Sequence, residues 1–291
     1  MEDSVEKFYE EWHESARSNR SEELRDRDLM ALNYVKDCNS VLELGCGCGY
    51  VLNKTTSSVK AGIDISKTAI EFAKVEVKSS VATDLRVVNI DKESLPWENG
   101  VYDGCMAIEV LEHLFDPVKA LAELNRVLKD DGKLVVTIPN IGYFIFRYYH
   151  MVTGEVSDFH GNGMIVNEHI RFYSVKSMVS LLKLTGFGDI KVRGALKLVV
   201  PDGQKTNVSA PSTPKKKRSI GSILYALRPT PINIISKLNR ILGLWKIMPS
   251  LFAVGLVIEA RKVCESQYKY NEAIDHQHTS SQRERINVHN I

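Results

Sequence analysis

The sequence has few cysteines, no long hydrophobic run and little net charge, and each absence excludes a class of protein. The five cysteines lack the paired spacing of a zinc site and predict reduced thiols in a cytosolic protein. The longest apolar run, Leu251–Ile258, is far shorter than the roughly 20 residues that span a bilayer. Residues 1–14 carry acidic side chains, unlike a signal peptide. A net charge of +2 excludes a chain-wide attraction to polyanions.

Short apolar runs alternate with helical patterns from about Asp37 to Lys262, as is typical of a parallel α/β sheet. Asp116, followed by Pro117, is predicted to cap one helix, and Ser174 is predicted to cap another. The sequence therefore predicts a Rossmann-like fold with helices on both faces of the sheet. The predicted strands are Val41–Leu44, Lys60–Ile65, Leu85–Ile90, Tyr102–Val110, Lys133–Pro139, Asp189–Ala195 and Leu251–Ala260.

The pattern divides the chain into one α/β domain and several added segments. We expect an N-terminal helical lid at residues 1–29, the α/β domain at 30–262 and a disordered polar tail at 263–291. Residues 142–172, rich in aromatics, and 201–249, a basic linker and amphipathic helix, interrupt that domain. The aromatic insertion is either a lid over a bound molecule or a small hydrophobic core of its own.

The first strand runs into a glycine-rich loop, Glu43-Leu44-Gly45-Cys46-Gly47-Cys48-Gly49. Glycines at a strand-to-helix turn let the backbone come close to a ligand, and the next helix offers unpaired N–H groups. A dinucleotide fingerprint needs glycine or alanine where this chain has Tyr50, which disfavours NAD. A plain tight turn is the alternative interpretation of the loop.

Acidic residues follow the next strands of the predicted sheet. Asp64 ends the second strand and Asp91 follows the third, while Glu109 and Glu112 close the fourth. Open α/β sheets bind ligands at the carboxyl ends of their strands, so we expect these side chains to line one edge. A ribose diol suits Asp64 because the two carboxylate oxygens can each accept a hydroxyl.

These motifs resemble those of the class I S-adenosylmethionine-dependent methyltransferases. The similarity lies in VLELGCGCGYV, AGIDIS, NID, YDGCMAIEVLEHL, RVLKDDGKLVVTIPN and LFAVGLVIEARK, over residues 30–195 and 250–262. It implies a methyltransferase domain whose seven-stranded sheet has an antiparallel last strand. It also implies that S-adenosylmethionine contacts Glu43, Gly45, Gly47, Gly49, Asp64, Ile65, Asp91 and Glu109.

The resemblance gives each of these residues a role. The three glycines would pass under the methionine part of the cofactor, with Glu43 orienting their loop and Glu109 beside the amino group. Asp64 would hold the ribose hydroxyls. Ile65 would pack on the adenine, and Asp91 would meet its exocyclic amine.

Methyl transfer needs a positioned nucleophile and a way to remove its proton, because the sulfonium methyl is already electrophilic. Glu112 and His113 are the candidate catalytic residues. The spacing of Glu109, Glu112 and His113 predicts ligand-type side chains on one helical turn, and His169 lies in the insertion expected to cover them. The pattern is similar to that of metal-using ubiquinone-pathway O-methyltransferases and RNA 2′-O-methyltransferases, and favours Mg²⁺ or Mn²⁺ over Zn²⁺. Without metal, Glu112 and His113 would cap the helix or act as acid and base.

The acceptor carries the least sequence information. The aromatic insertion and the EHIRFYS motif resemble methyltransferases of surface-glycan and secondary-metabolite pathways, which favours O-methylation of a small-molecule, glycan or lipid-linked hydroxyl. Residues 215–248 have the pattern of a basic amphipathic helix, which favours a cytoplasmic protein peripheral to the inner membrane face. Packing of this helix on the sheet is the alternative. An RNA 2′-O-methyltransferase and a non-catalytic scaffold are the rival functions, and nucleic acid is disfavoured because no base-stacking array is evident.

Overall fold

The computed structural model describes residues 6–11, 24–78, 81–154, 169–195 and 243–266. Within these residues, seven strands form one sheet in the order β3-β2-β1-β4-β5-β7-β6. All neighbouring pairs from β3 to β5 are parallel, and β7 runs antiparallel to both β5 and β6. The predicted fold, with its antiparallel last strand, is confirmed. The strands are β1 Ser40–Leu44, β2 Val59–Asp64, β3 Ala82–Val87, β4 Tyr102–Ile108, β5 Leu128–Pro139, β6 Phe187–Ala195 and β7 Gly255–Lys262.

The helices cover both faces of the sheet, and two of them begin where the sequence predicted. The Asp116 side chain accepts a hydrogen bond from the Lys119 amide, and the Ser174 side chain accepts one from the Ser177 amide. A single 3₁₀ turn, Leu111–His113, follows β4. The α-helices are α1 at residues 6–11, α2 Asp26–Val35, α3 Tyr50–Asn53, α4 Lys67–Glu76, α5 Pro117–Val127, α6 Phe144–Thr153, α7 Val175–Leu184, α8 Leu244–Ile247 and α9 Pro249–Phe252.

The core consists of two hydrophobic layers, one on each face of the sheet. Along β4, the buried side chains of Cys105 and Met106 belong to opposite layers, as the pleat of a strand requires. One layer packs α5 and α7 on the sheet, and the other packs α2, α3 and α4. Helices of both layers therefore brace the central strands, whose carboxyl ends meet at one edge.

Three strands differ most from the sequence pattern. β5 begins at Leu128, five residues before the predicted Lys133, and β3 and β7 are shifted along the chain. β3 starts and ends three residues earlier along the chain than the predicted Leu85–Ile90. The prediction followed the buried side chains of Val88 and Ile90, but these come after the strand, which is itself largely exposed. The predicted start of the last strand is helical instead. Pro249 stands at the first position of α9, where its fixed φ suits a helix, and β7 starts only at Gly255.

Several predicted segments fall wholly or partly outside the described residues. These include residues 155–168 of the aromatic insertion, most of the basic segment 201–249 and the tail from residue 267 onward. The predicted membrane contact through residues 215–248 stays a prediction for that reason, and so do the domain boundaries. In the part of the chain that is described, no helix has the length and apolar character needed to cross a bilayer.

Candidate functional site

The loop between β1 and α3 is built around glycines in the left-handed region of backbone space. Gly45 has φ of +66°, and a Cβ there would lie 2.4 Å from a methyl carbon of Val110. Gly49 has φ of +82°, and a Cβ there would meet Val77 at the same distance. A side chain at either position would be strained and would also clash. The loop is therefore held close against the residues that follow β4.

Asp64 at the end of β2 fixes this loop from the other side. One carboxylate oxygen accepts a hydrogen bond from the Gly47 amide at 2.8 Å, and the other accepts one from the Ser66 amide at 3.0 Å. The residue is 8% exposed. A carboxylate has about four acceptor sites, so Asp64 can support the loop and still accept ribose hydroxyls. Ile65, predicted to pack on adenine, is the next residue and is partly exposed.

Glu43 lies buried in β1, directly before the loop. Burial raises the pKa of this carboxyl well above its usual value, and the charges of Asp28 and Asp64 raise it further. Its Oε2 atom has no hydrogen-bond partner within the described chain, while the Leu52 amide of α3 hydrogen-bonds to the carboxyl group. Glu43 thus connects β1 to the helix after the loop, as its predicted orienting role requires.

Asp91, in the turn after β3, is held by the start of α5. Its Oδ1 accepts a hydrogen bond from the Asp116 amide at 2.8 Å, and its carbonyl accepts one from the Lys119 ammonium at 3.2 Å. The carboxylate lies at the same sheet edge as Asp64. Contact with an adenine amine stays a prediction, and the structure adds a second role, which is to fasten the β3 turn to α5.

Glu109, the first residue after β4, is close enough for its charge to affect Glu112 but is not part of the compact group of Glu112, His113 and His169. Its backbone has φ of +53°, and its carboxylate accepts hydrogen bonds from the Arg27 guanidinium at 2.5 Å and the Thr137 hydroxyl at 3.1 Å. The prediction that Glu109 shares a helical turn with Glu112 and His113 is wrong. The backbone turns sharply at this residue, and the 3₁₀ turn begins only at Leu111. Its role at the methionine end stays a prediction.

Arg27 is the residue of this site that sequence analysis missed. It is only 8% exposed, and its Nε atom has no hydrogen-bond partner in the described chain, lying 3.7 Å from an oxygen of Asp28. Arginine in a charged helical segment such as α2 is usually solvent-exposed, so no pattern distinguished this one. Its burial results from packing against the end of β4, far away in sequence.

Glu112, His113 and His169 form a compact cluster. Ligand atoms of the three side chains lie within 4.8 Å of one another, and the two imidazole rings are 4.8 Å apart between centroids. Backbone hydrogen bonds from Ile170 and Arg171 to the Glu112 carbonyl bring His169 to this place. The predicted meeting of His169 with His113 across the insertion is therefore present in the structure.

The Glu112 carboxyl group is buried and unsatisfied. The residue is 1% exposed, and neither carboxylate oxygen has a hydrogen-bond partner among the described residues. Burial raises the pKa of Glu112 well above its usual value, and the nearby charge of Glu109 raises it further. A buried polar group without a partner is costly, so this carboxyl group is suited to receive a proton, a cation or a ligand donor.

Helix α1 crosses the same edge of the sheet. The Glu10 carboxylate accepts hydrogen bonds from the Ser66 hydroxyl and from the amides of Lys67 and Thr68, at 2.6 to 3.1 Å. The Tyr9 ring stands edge-on to His113, with centroids 6.3 Å apart. The described part of the predicted N-terminal lid therefore reaches from the start of α4 to the cluster of Glu112, His113 and His169.

Replacing Glu10 by glutamine should loosen α1 from the sheet edge. Burial alone would raise the pKa of Glu10, but its hydrogen bonds together lower it, so α1 docking is strongest above the usual carboxyl pKa. Docking should weaken as the pH falls through the lowered pKa. Hydrogen exchange at the Lys67 and Thr68 amides should rise in the variant, and Glu11→Gln, on the same helix, should leave it unchanged. Unaltered exchange in Glu10→Gln would contradict the contact.

The fold and the site together define a class of protein. A sheet with one antiparallel strand, a glycine loop after β1 and acidic residues after β2, β3 and β4 is suited to hold a nucleoside at the carboxyl edge. The family model described as "Methyltransferase domain" matches residues 42–136, which include the glycine loop, Asp64, Asp91 and the first two members of the Glu112 cluster. Residues 42–136 are therefore a methyltransferase domain, and the seven-stranded sheet around them is that of the class I S-adenosylmethionine-dependent type.

Curated relatives match about half of the chain. A ubiquinone/menaquinone biosynthesis C-methyltransferase, UbiE, of Citrifermentans bemidjiense is 26% identical over 52% of this chain and 71% of its own length. An uncharacterized protein of Methanocaldococcus jannaschii is 30% identical over 53% of this chain and 63% of its own. The chain thus spans less than two thirds of that second relative.

A solved structure supports the fold. A Bacillus halodurans C-125 protein proposed to be a methyltransferase aligns with 81% of this chain and 99% of its own, with a TM-score of 0.51 and 15% identity. At this identity the likeness concerns the arrangement of helices and strands alone.

Proposed function

We propose that this methyltransferase transfers the methyl group of S-adenosylmethionine to a hydroxyl oxygen of a small-molecule, glycan or lipid-linked acceptor. The observation that carries the proposal is the cluster of Glu112, His113 and His169, which begins three residues beyond the Glu109 expected at the methionine end. A hydroxyl is a poor nucleophile until its proton is removed, and an imidazole is a suitable base near neutral pH. His113 is assigned as that base when its imidazole is not bound to a metal ion.

The neighbours of His113 fit this role. Glu112 lies in the same cluster and is buried, while His169 supplies a second imidazole. The Tyr9 ring of α1 lies next to His113, and main-chain bonds of Ile170 and Arg171 keep His169 near it. On this proposal the cluster supplies a local site for the acceptor proton, which transfer needs in addition to alignment of the acceptor with the methyl group.

We also propose that the cluster binds a divalent cation. The two unpartnered oxygens of Glu112 and the 4.8 Å spacing of the donor atoms support this assignment. Glu109 is not included, because its carboxylate is engaged by Arg27. One carboxylate with two imidazoles suits Mn²⁺ better than Mg²⁺, which prefers oxygen ligands. When bound, such an ion would supply Lewis acidity that lowers the pKa of an acceptor hydroxyl.

Calorimetric titration tests both parts of this proposal. S-adenosylhomocysteine should bind the full chain without added metal, and Mn²⁺ should give a separate binding heat. The Mn²⁺ heat should be lost in Glu112→Gln and in His169→Gln but kept in His150→Gln, which changes an exposed histidine of α6. If the Mn²⁺ binding heat were the same in the cluster variants as in the unaltered protein, the metal site would be rejected. His113 would then act only as a base. Failure to bind S-adenosylhomocysteine would reject the cofactor assignment.

Methylation at carbon is a second candidate, favoured by the similarity to UbiE, a C-methyltransferase. An activated aromatic ring becomes a carbon nucleophile when its phenol is deprotonated, so the same base would serve. Treatment of the product with hydriodic acid separates the two reactions, since it releases methyl iodide from a methyl ether but not from a methylated ring carbon.

A further inference from the structure

A groove of about 600 Å³ lies at the carboxyl end of β5, between α6, α7 and α9. Basic side chains of Arg147 on α6 and of Lys176 and Lys183 on α7 line it, together with serine hydroxyls. None of the described residues that line it is acidic. The groove is separate from the glycine loop and from the Glu112 cluster.

We propose that this groove binds a phosphate or diphosphate group carried by the methyl acceptor. The inference rests on the proposed function, because it assigns a chemical class to the acceptor of that reaction. It narrows the acceptor to a molecule with a hydroxyl at one end and a phosphate at the other.

The three cations around the groove are available to an anionic ligand. In the part of the chain that is described, Arg147, Lys176 and Lys183 form no ion pair with a carboxylate, whereas Arg126 and Arg193 each bond to one. Like charges around one cavity repel each other, and a polyanion removes that repulsion. A guanidinium can also bond two phosphate oxygens at once, and two ammonium groups add further donors.

The floor of the groove is rigid. Asn140, the first residue after β5, is fully buried, and its amide nitrogen donates to the carbonyls of Pro249, Ser250 and Ala253. Its side-chain oxygen accepts from the Gly142 amide. A guanidinium nitrogen of Arg147 lies 3.4 Å from the Cβ position at Gly142, so this cation is held over the floor.

A short segment joins the groove to the cluster of Glu112, His113 and His169, and its length limits the distance between them. Residues 169–174 run from His169 to Ser174 at the groove, and the Tyr173 hydroxyl fastens this segment to the Leu111 carbonyl. Five residue steps cover at most about 17 Å of extended chain. A sugar diphosphate has comparable length, so its hydroxyl could reach His113 while its phosphates lie among the three cations.

The beginning of α7 does not supply the binding groups. Ser174 and Ser177 cap each other reciprocally, with the Ser177 amide donating to the Ser174 hydroxyl and the Ser174 amide donating to the Ser177 hydroxyl. The basic side chains are therefore the expected phosphate ligands. Since all three are exposed, each contact is weak and binding depends on their joint action.

Pyrophosphate is the probe that tests the groove. Calorimetry at low ionic strength should show it binding to the full chain. Joint replacement of Arg147, Lys176 and Lys183 by glutamine should weaken that binding about tenfold or more, since each exposed contact adds a small increment. The matched control replaces Lys36, Lys54 and Lys74 by glutamine. These lysines are exposed outside the groove, and their replacement removes the same total charge. It should leave pyrophosphate affinity unchanged.

Two further measurements separate the possible outcomes. S-adenosylhomocysteine should bind with equal affinity to both triple variants, because the groove is separate from the cofactor site. If the unaltered protein failed to bind it, that result would count against the proposed function and not against the groove. Sedimentation with phosphatidylcholine vesicles, with and without phosphatidic acid, distinguishes the source of the phosphate. If the unaltered protein binds vesicles with phosphatidic acid and the groove variant does not, the acceptor is lipid-linked. If the groove variant loses only the binding of pyrophosphate, the acceptor is soluble. Absence of pyrophosphate binding, or equal binding by both triple variants, would overturn the inference.

Discussion

Replacing Arg27 by methionine should weaken S-adenosylhomocysteine binding roughly 10- to 100-fold, the usual range for a hydrogen bond to a charged group. The same change should leave binding of 5′-methylthioadenosine nearly unaltered. The two ligands share the adenosine part, but only the first carries an amino-acid end, with an ammonium and a carboxylate. Calorimetric titration of both ligands checks the expected difference.

The expectation follows from the charges next to the glycine loop. Arg27 and Glu109 form a buried pair of opposite charge, and Val110 packs directly against Gly45. An amino-acid end is itself a pair of opposite charges, so it can place its ammonium near Glu109 and its carboxylate near Arg27. The buried Nε of Arg27 has no hydrogen-bond partner in the described chain, so a small turn of the guanidinium toward that carboxylate would satisfy it.

Arg126→Met is the matched control for Arg27. Arg126 forms a comparable, partly buried ion pair with Glu123 on α5 and also bonds the carbonyls of Leu95 and Trp97. Its loss should lower the free energy of unfolding without changing affinity for either ligand. Equal weakening of both ligands in Arg27→Met would indicate a structural role alone, and unchanged S-adenosylhomocysteine affinity would place Arg27 outside the cofactor site.

Replacing Asp64 by asparagine should weaken both S-adenosylhomocysteine and 5′-methylthioadenosine, by roughly 100-fold. Both ligands contain the ribose, and an amide cannot accept hydrogen bonds at each of its two polar atoms as a carboxylate does. The change also removes an acceptor from either the Gly47 or the Ser66 amide, which loosens the loop. The ligand selectivity should therefore differ from that of the Arg27 variant.

The matched control for Asp64 is Asp103→Asn. Asp103 accepts hydrogen bonds from the amide and hydroxyl of Ser40 at 2.9 and 2.8 Å, but it lies near the start of β4, at the opposite edge of the sheet. A similar loss of stability without a change in affinity is expected there. If Asp64→Asn kept full affinity for both ligands, the ribose would have to bind elsewhere.

Features encoded within a few residues could be predicted from the sequence. The starts of two helices, at Asp116 and Ser174, and the glycine loop depend on local pattern. The seven-stranded sheet with its antiparallel last strand was implied by the resemblance to a known family. The approach of His169 to His113 was also predictable, because the fourth strand and the insertion after the fifth strand meet at one edge. Apart from the sheet, these inferences required only capping residues, a local motif or the order of elements along the chain.

Features that depend on tertiary packing could not be predicted in the same way. The spacing predicted that Glu109 and Glu112 lie on the same face of one helical turn. The positive φ at Glu109 instead directs its carboxylate toward Arg27 and Thr137 of β5. The burial of Arg27 depends on contact with a strand end far away in sequence. The second bond of Asp91, to the Asp116 amide, likewise arises where two distant turns meet.

The attachment of His169 has a consequence for altering this enzyme. Main-chain groups of Ile170 and Arg171 hold the histidine to the Glu112 carbonyl, and the Arg171 guanidinium adds a bond to the Leu114 carbonyl. Main-chain bonds place few demands on neighbouring side chains. The side chain of Ile170, which is exposed, can therefore be varied while the histidine pair keeps its main-chain anchor. That position is a natural first target for directed evolution aimed at a new acceptor.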